Sequence, residues 1–76
     1  MMKNMKEYVI NLFWDDEASV WVATNDIIPL TLESGSLDLL IERVRMAAPE
    51  LLEVNGQVGE MTMLRFQAER LMQAIS

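Results

Sequence analysis

Residues 8–24, YVINLFWDDEASVWVAT, constrain this chain more than any other segment, because two apolar, β-prone runs flank an acidic turn. Two antiparallel strands joined by a short polar turn, with one amphipathic helix soon after, describe a sheet with one covered face. Strand one is expected over about residues 7–14. Tyr8, Ile10, Leu12 and Trp14 fall on one face, and Val9, Asn11 and Phe13 on the other. Both faces are rather apolar, which predicts a strand that is central or covered on both sides. Asp15, Asp16, Glu17 and Ala18 supply the turn, since carboxylate side chains tolerate bent backbone and prefer water.

Strand two follows over about residues 19–24, with β-branched Val20 and Val22 alternating with Trp21 and Ala23. Four turn residues place Trp14 and Trp21 on a shared face. The register itself stays open, because a one-residue slip exchanges the faces. Asn25 and Asp26 end the strand, and Ile27-Ile28-Pro29 forms a corner where proline cannot donate to a ladder. A short third strand is expected over about residues 30–33.

Ser34-Gly35-Ser36 marks a boundary with Ser36 as helix N-cap, and Asp38 sits in the first turn, where negative charge favours the helix dipole. Leu37, Leu40, Ile41, Val44, Ala48 and Leu51 recur at helical spacing and form the expected buried stripe, with Glu42, Arg43 and Arg45 on the wet side. Pro49 removes one backbone hydrogen bond and predicts a kink or restart. Asn55-Gly56 would supply the left-handed cap. The tail from Met61 to Ile75 reads two ways. Leu64, Ala68, Leu71, Met72 and Ile75 give a helical stripe, whereas Leu64, Phe66 and Ala68 also alternate with Arg65, Gln67 and Glu69 as in a strand. On periodicity alone the helix is slightly ahead.

Composition narrows the chemistry. A chain of 76 residues holds one domain, spanning 1–76, and buries only roughly 60% of its unfolded surface, so oligomerisation is a common remedy. Cysteine and histidine are both absent. Disulfides, thiolate metal sites, cysteine nucleophiles, imidazole bases and imidazole zinc ligands are therefore excluded. That usage fits a reducing cytoplasm. Twelve acidic residues against six basic ones give a net charge of -6, the wrong sign for direct nucleic-acid binding and suited to a basic protein partner. No apolar run approaches the roughly 18 residues of a membrane span. The start, MMKNMKE, has no apolar core and is not a secretory signal. Residues 1–6 are expected to be disordered, with Met1, Met2 and Met5 all possible translation starts.

The order of these features resembles a known group. YVINLFWDDEASVWVAT, the corner proline Pro29 and then LESGSLDLLIERV look like the N-terminal domain of HicB-type antitoxins, and still more like short bacterial domains allied to them. Trp21-Val22-Ala23 matches an aromatic-Val-Ala strand, residues 33–37 match an acidic-small-small-Leu helix start, and AAPELLEVNG resembles the helix end of the short group. The resemblance covers about residues 7–56 and, more loosely, residues 63–70. It implies an α+β fold: an antiparallel β-β-β-α-β sheet with one helix packed on one face, a reduced version of the ribonuclease H fold. Residues 7–56 would hold β-β-β-α and residues 61–70 the final strand, against the periodicity reading. It further implies a non-enzymatic antitoxin that sequesters a small basic toxin cleaving messenger RNA. Two departures stand out: Leu30 replaces the glycine usual after the corner proline, and Leu39 replaces the Glu that would complete a capping box. Full HicB-type antitoxins carry a further DNA-binding domain, so operator binding is not carried over.

No catalytic, cofactor-binding or metal-ligating residue is expected. The Asp15-Asp16-Glu17 run is read as a solvated turn. Ribonuclease chemistry would need a carboxylate within the first strand to help hold two metal ions, and none lies between Tyr8 and Trp14. The candidate interface with a partner or with further copies of this chain is Trp14, Trp21, Arg65 and Phe66, although tryptophans in a small domain more often serve as core cover. Met61, Met63 and Met72 are read as fillers of a modest core, with an oligomer contact as the alternative. Arg65 and Arg70 are read as solvated, with pairing across a dimer as the alternative.

Overall fold

The computed structural model describes residues 5–54 and 61–75. Along the chain run β1 (Met5–Asp15), β2 (Val20–Thr24), β3 (Thr31–Ser34), α1 (Leu37–Val54) and β4 (Met61–Glu69). The fold is α+β: a four-stranded sheet in the order β3-β2-β1-β4, with one helix. Strand β1 takes in Met5 and Lys6, which corrects the expectation that they are disordered. The Asn55-Gly56 cap lies outside the described residues.

The sheet is mixed, which corrects the all-antiparallel expectation. Strands β1, β2 and β3 are antiparallel neighbours, but β4 runs parallel to β1, from Met5 opposite Met61 to Phe13 opposite Glu69. The reason is topological. After three meandering strands the chain recrosses the sheet as α1, so the next strand starts again at the end where β1 starts. A parallel pair needs such a long crossover, and an 18-residue helix supplies it. Residues 61–69 are strand and not helix, as the family resemblance implied and periodicity did not.

Alternation then decides what is buried. Tyr8, Ile10 and Leu12 of β1, with Ala23 of β2, join Leu40, Val44, Ala48 and Leu52 of α1 and the corner residues Ile28 and Leu30 in one core. Leu37, Ile41 and Leu51 pack at its margin as the helical spacing predicts, and Leu52 is a core member the stripe left out. Ser36 caps the helix: its hydroxyl accepts from the Leu39 amide at 3.3 Å and its carbonyl from the Leu40 amide at 3.0 Å. The helix continues through Pro49 without a break.

Among the described residues, the opposite face of the sheet carries no helix. There β1 shows Glu7, Val9, Asn11 and Phe13, so among the described residues the central strand is covered on one side only. No described helix is long and apolar enough to cross a membrane.

Candidate functional site

Three surfaces follow from this layout: the tryptophan end of the sheet, its helix-free face, and the outer edge of β4. At the tryptophan end the register is settled. Asp15 pairs with Val20 and Trp14 with Trp21, leaving residues 16–19 as the loop. Asp15 Oδ1 accepts from the Glu17 and Ala18 amides at 3.0 and 3.3 Å, and Ser19 closes the loop with a left-handed φ of 55°. The acidic run therefore builds the hairpin. Among the described residues, no group of three or more acidic side chains is placed to hold a metal ion.

The indole rings of Trp14 and Trp21 meet edge to face, with centroids 5.7 Å apart and planes at 69°. Trp14 Nε1 donates to Asp16 Oδ1 at 2.6 Å. The Arg70 guanidinium lies 3.9 Å from the Trp14 ring centroid and 5.9 Å from that of Trp21, within cation–π range of both. Arg70, expected from sequence to be solvated or to pair across a dimer, stacks instead on both indoles. Its stacking role depends on the parallel β1–β4 register, which no local pattern encodes.

The helix-free face holds Met5, Val9 and Phe13 of β1, Val20 and Val22 of β2, and Met61 and Met63 of β4. Met5, Phe13, Met61 and Met63 are all exposed. Carboxylates surround them: Glu7 and Asp15 on β1, Glu33 on β3 and Glu69 on β4, with Arg65 as the cation among these strand positions. Arg65 is held by Glu7 through Nε to Oε2 at 2.8 Å and Nη2 to Oε1 at 3.0 Å, a bidentate fork. The hydrogen bonds and charge of Arg65 hold the Glu7 carboxyl below its ordinary pKa, and Glu7 raises that of Arg65 in turn.

The four residues singled out from sequence are thus not brought together. Trp14, Trp21 and Phe66 lie on the helix side of the sheet and Arg65 on the other. Trp21 and Phe66 are partly buried against the core. Phe66 and Leu64 also line a notch of about 350 Å³ with Thr62, Met63, Arg45 and Pro49, between α1 and β4. One cation and one hydroxyl in an otherwise apolar lining offer no paired nucleophile and base.

The comparisons with known proteins agree with the fold. A family model described as a domain of unknown function (DUF1902) matches residues 7–75. A hypothetical protein from the extremely thermophilic bacterium Thermus thermophilus, known from its crystal structure, is 37% identical in sequence and superposes with a TM-score of 0.78. The match covers 91% of this chain and 100% of that one. No curated protein matches the chain. Neither finding names an antitoxin, so that resemblance rests on the sequence pattern.

Proposed function

This chain belongs to the DUF1902 family, a domain of unknown function, and we propose that it is a non-enzymatic, antitoxin-like binding domain. Its partner would be a small basic toxin that cleaves messenger RNA in the cytoplasm, silenced by occlusion. The observation that carries this reading is the helix-free sheet face, where exposed Met5, Phe13, Met61 and Met63 sit among carboxylates. An apolar patch rimmed by acidic groups suits a basic protein surface by both apolar contact and charge. The net charge of -6 adds long-range attraction for such a partner. A chain without cysteine or histidine lacks the commonest nucleophile–base pairs, which favours covering over catalysis. The HicB-like order of hairpin, corner proline and helix start supports the same reading.

The test is to produce the proteins encoded beside this gene, assay each for cleavage of RNA, and add this domain; the absence of any small basic protein among them overturns the reading. The expected result is a stable complex and loss of cleavage at equimolar ratio, with Phe13→Lys, which removes an apolar contact and adds a charge like the partner's, weakening both. An adjacent basic protein that fails to bind, or cleaves RNA undiminished, overturns the reading. The alternative is a self-assembling structural or regulatory module without a toxin, and the outer edge of β4, unpaired among the described residues, favours it.

A further inference from the structure

Strand β4 is an outer strand of the sheet and presents a nine-residue edge. Such an edge is a template for another strand, and proteins usually blunt it with proline, a bulge or unmatched charge. The charges of β4 instead match one another. On the helix-free face the alternate residues from Met63 are Arg65, Gln67, Glu69 and then Leu71, just past the strand. Reversed about Gln67, this series meets itself: Met63 faces Leu71 and Arg65 faces Glu69, each twice. On the other face Phe66 meets Ala68, large against small.

Other two-fold centres do worse. Centring on Phe66 sets Met63 against Glu69, centring on Ala68 sets Arg65 against Leu71, and centring on Glu69 sets that carboxylate against its own copy. Like charges directly opposite destabilise a ladder, and opposite charges or apolar pairs support it. Arg65 is already oriented by Glu7, which engages Nε and Nη2 and leaves Nη1 as a further donor. Leu71 is 100% exposed, so it has no apolar contact of its own to give up.

We propose that β4 pairs antiparallel with β4 of a second copy of this chain, centred on Gln67. The two sheets would then join edge to edge. This contact is made along the outer edge of β4 and shares Met63 and Glu69 with the helix-free face, but its test reads self-association of this chain alone and so is separate from the test of toxin binding.

Sedimentation equilibrium of the full chain at micromolar concentration should give twice the 8.7 kDa chain mass. Glu69→Arg and Arg65→Glu each place like charges in both facing pairs and should each raise the dimer dissociation constant about tenfold. Mixed in equal amounts, the two variants should recover tight pairing, because every facing pair becomes Arg against Glu. Arg65→Glu also sets a carboxylate beside Glu7, so circular dichroism checks that each variant folds. Gln67→Cys gives a second readout: in a chain without other cysteines, mild oxidation should yield a disulfide-linked dimer. A monomeric wild type, single variants that dimerise unchanged, a mixture that recovers nothing, or Gln67→Cys that does not cross-link would each overturn the proposal.

Discussion

At the scale of single residues, Asn25 does more than its place at a strand end suggests. Its side-chain oxygen accepts from the Ile27 and Ile28 amides at 2.7 and 2.5 Å, and its Nδ2 donates to the Val9 carbonyl at 2.6 Å. One side chain thus closes the corner and ties it to the central strand. The result is local and tertiary together, since the corner delivers Ile28 fully buried into the core. Asn25→Ala removes all three bonds and should cost about 1–3 kcal/mol. Urea unfolding should show a lower midpoint at unchanged slope, and a shift below about 0.5 kcal/mol would refute the role. The turn chemistry of asparagine was legible in the sequence. The bond to Val9 was not, because it spans sixteen positions. Trp14 and Trp21 show the same limit: their shared face follows from alternation, but their direct pairing needed the register, and Arg70 above them needed a third strand.

Among the elements, α1 is the one most completely written in the sequence, with its cap, first-turn carboxylate and apolar stripe all local features. Pro49 is its flaw. It lacks the amide hydrogen that would bond the Arg45 carbonyl four residues back, and its ring crowds the preceding turn. Because Pro49 is exposed, little packing is lost on replacing it. Pro49→Ala should therefore stabilise the domain, by up to about 3 kcal/mol, seen as a higher urea midpoint. A fall in the midpoint would mean that the ring supports the notch beside Phe66 more than it strains the helix. Strand β4 is the opposite case. Its residues carry both a helical stripe and a strand alternation, and periodicity alone favoured the wrong one. Pairing with β1 decided it, since only the strand places Leu64 and Phe66 beside Tyr8 and Ile10 over the core.

Over the whole molecule, the core is one-sided: a single helix covers one face of the sheet, and the other face and the β4 edge remain outside it. The molecule measures 57 × 22 × 19 Å, far from spherical for 76 residues. Residues 70–75 follow β4 outside any helix or strand, with Leu71 and Ile75 at 100% and 102% exposure. Deleting residues 71–76 should accordingly change the stability read from the urea midpoint by less than about 0.5 kcal/mol when measured well below the dissociation constant of the proposed dimer. The same deletion should weaken self-association in sedimentation, because Leu71 would no longer face Met63. A large loss of monomer stability would show that the tail belongs to the core.

What the sequence by itself determined is everything with a short period: the hairpin, the proline corner, the capped helix, and which residues of each share a face. Composition also determined a chemistry without thiol or imidazole. Only the tertiary structure decided the parallel seating of β4, the partners of Arg65 and Arg70, and which apolar side chains stay in water. The physical reason is range. Local pattern reports what a segment does with its own neighbours, whereas strand order depends on where an 18-residue crossover returns the chain, and that choice is made by burying Leu64 and Phe66 against a core assembled from the other end of the sequence.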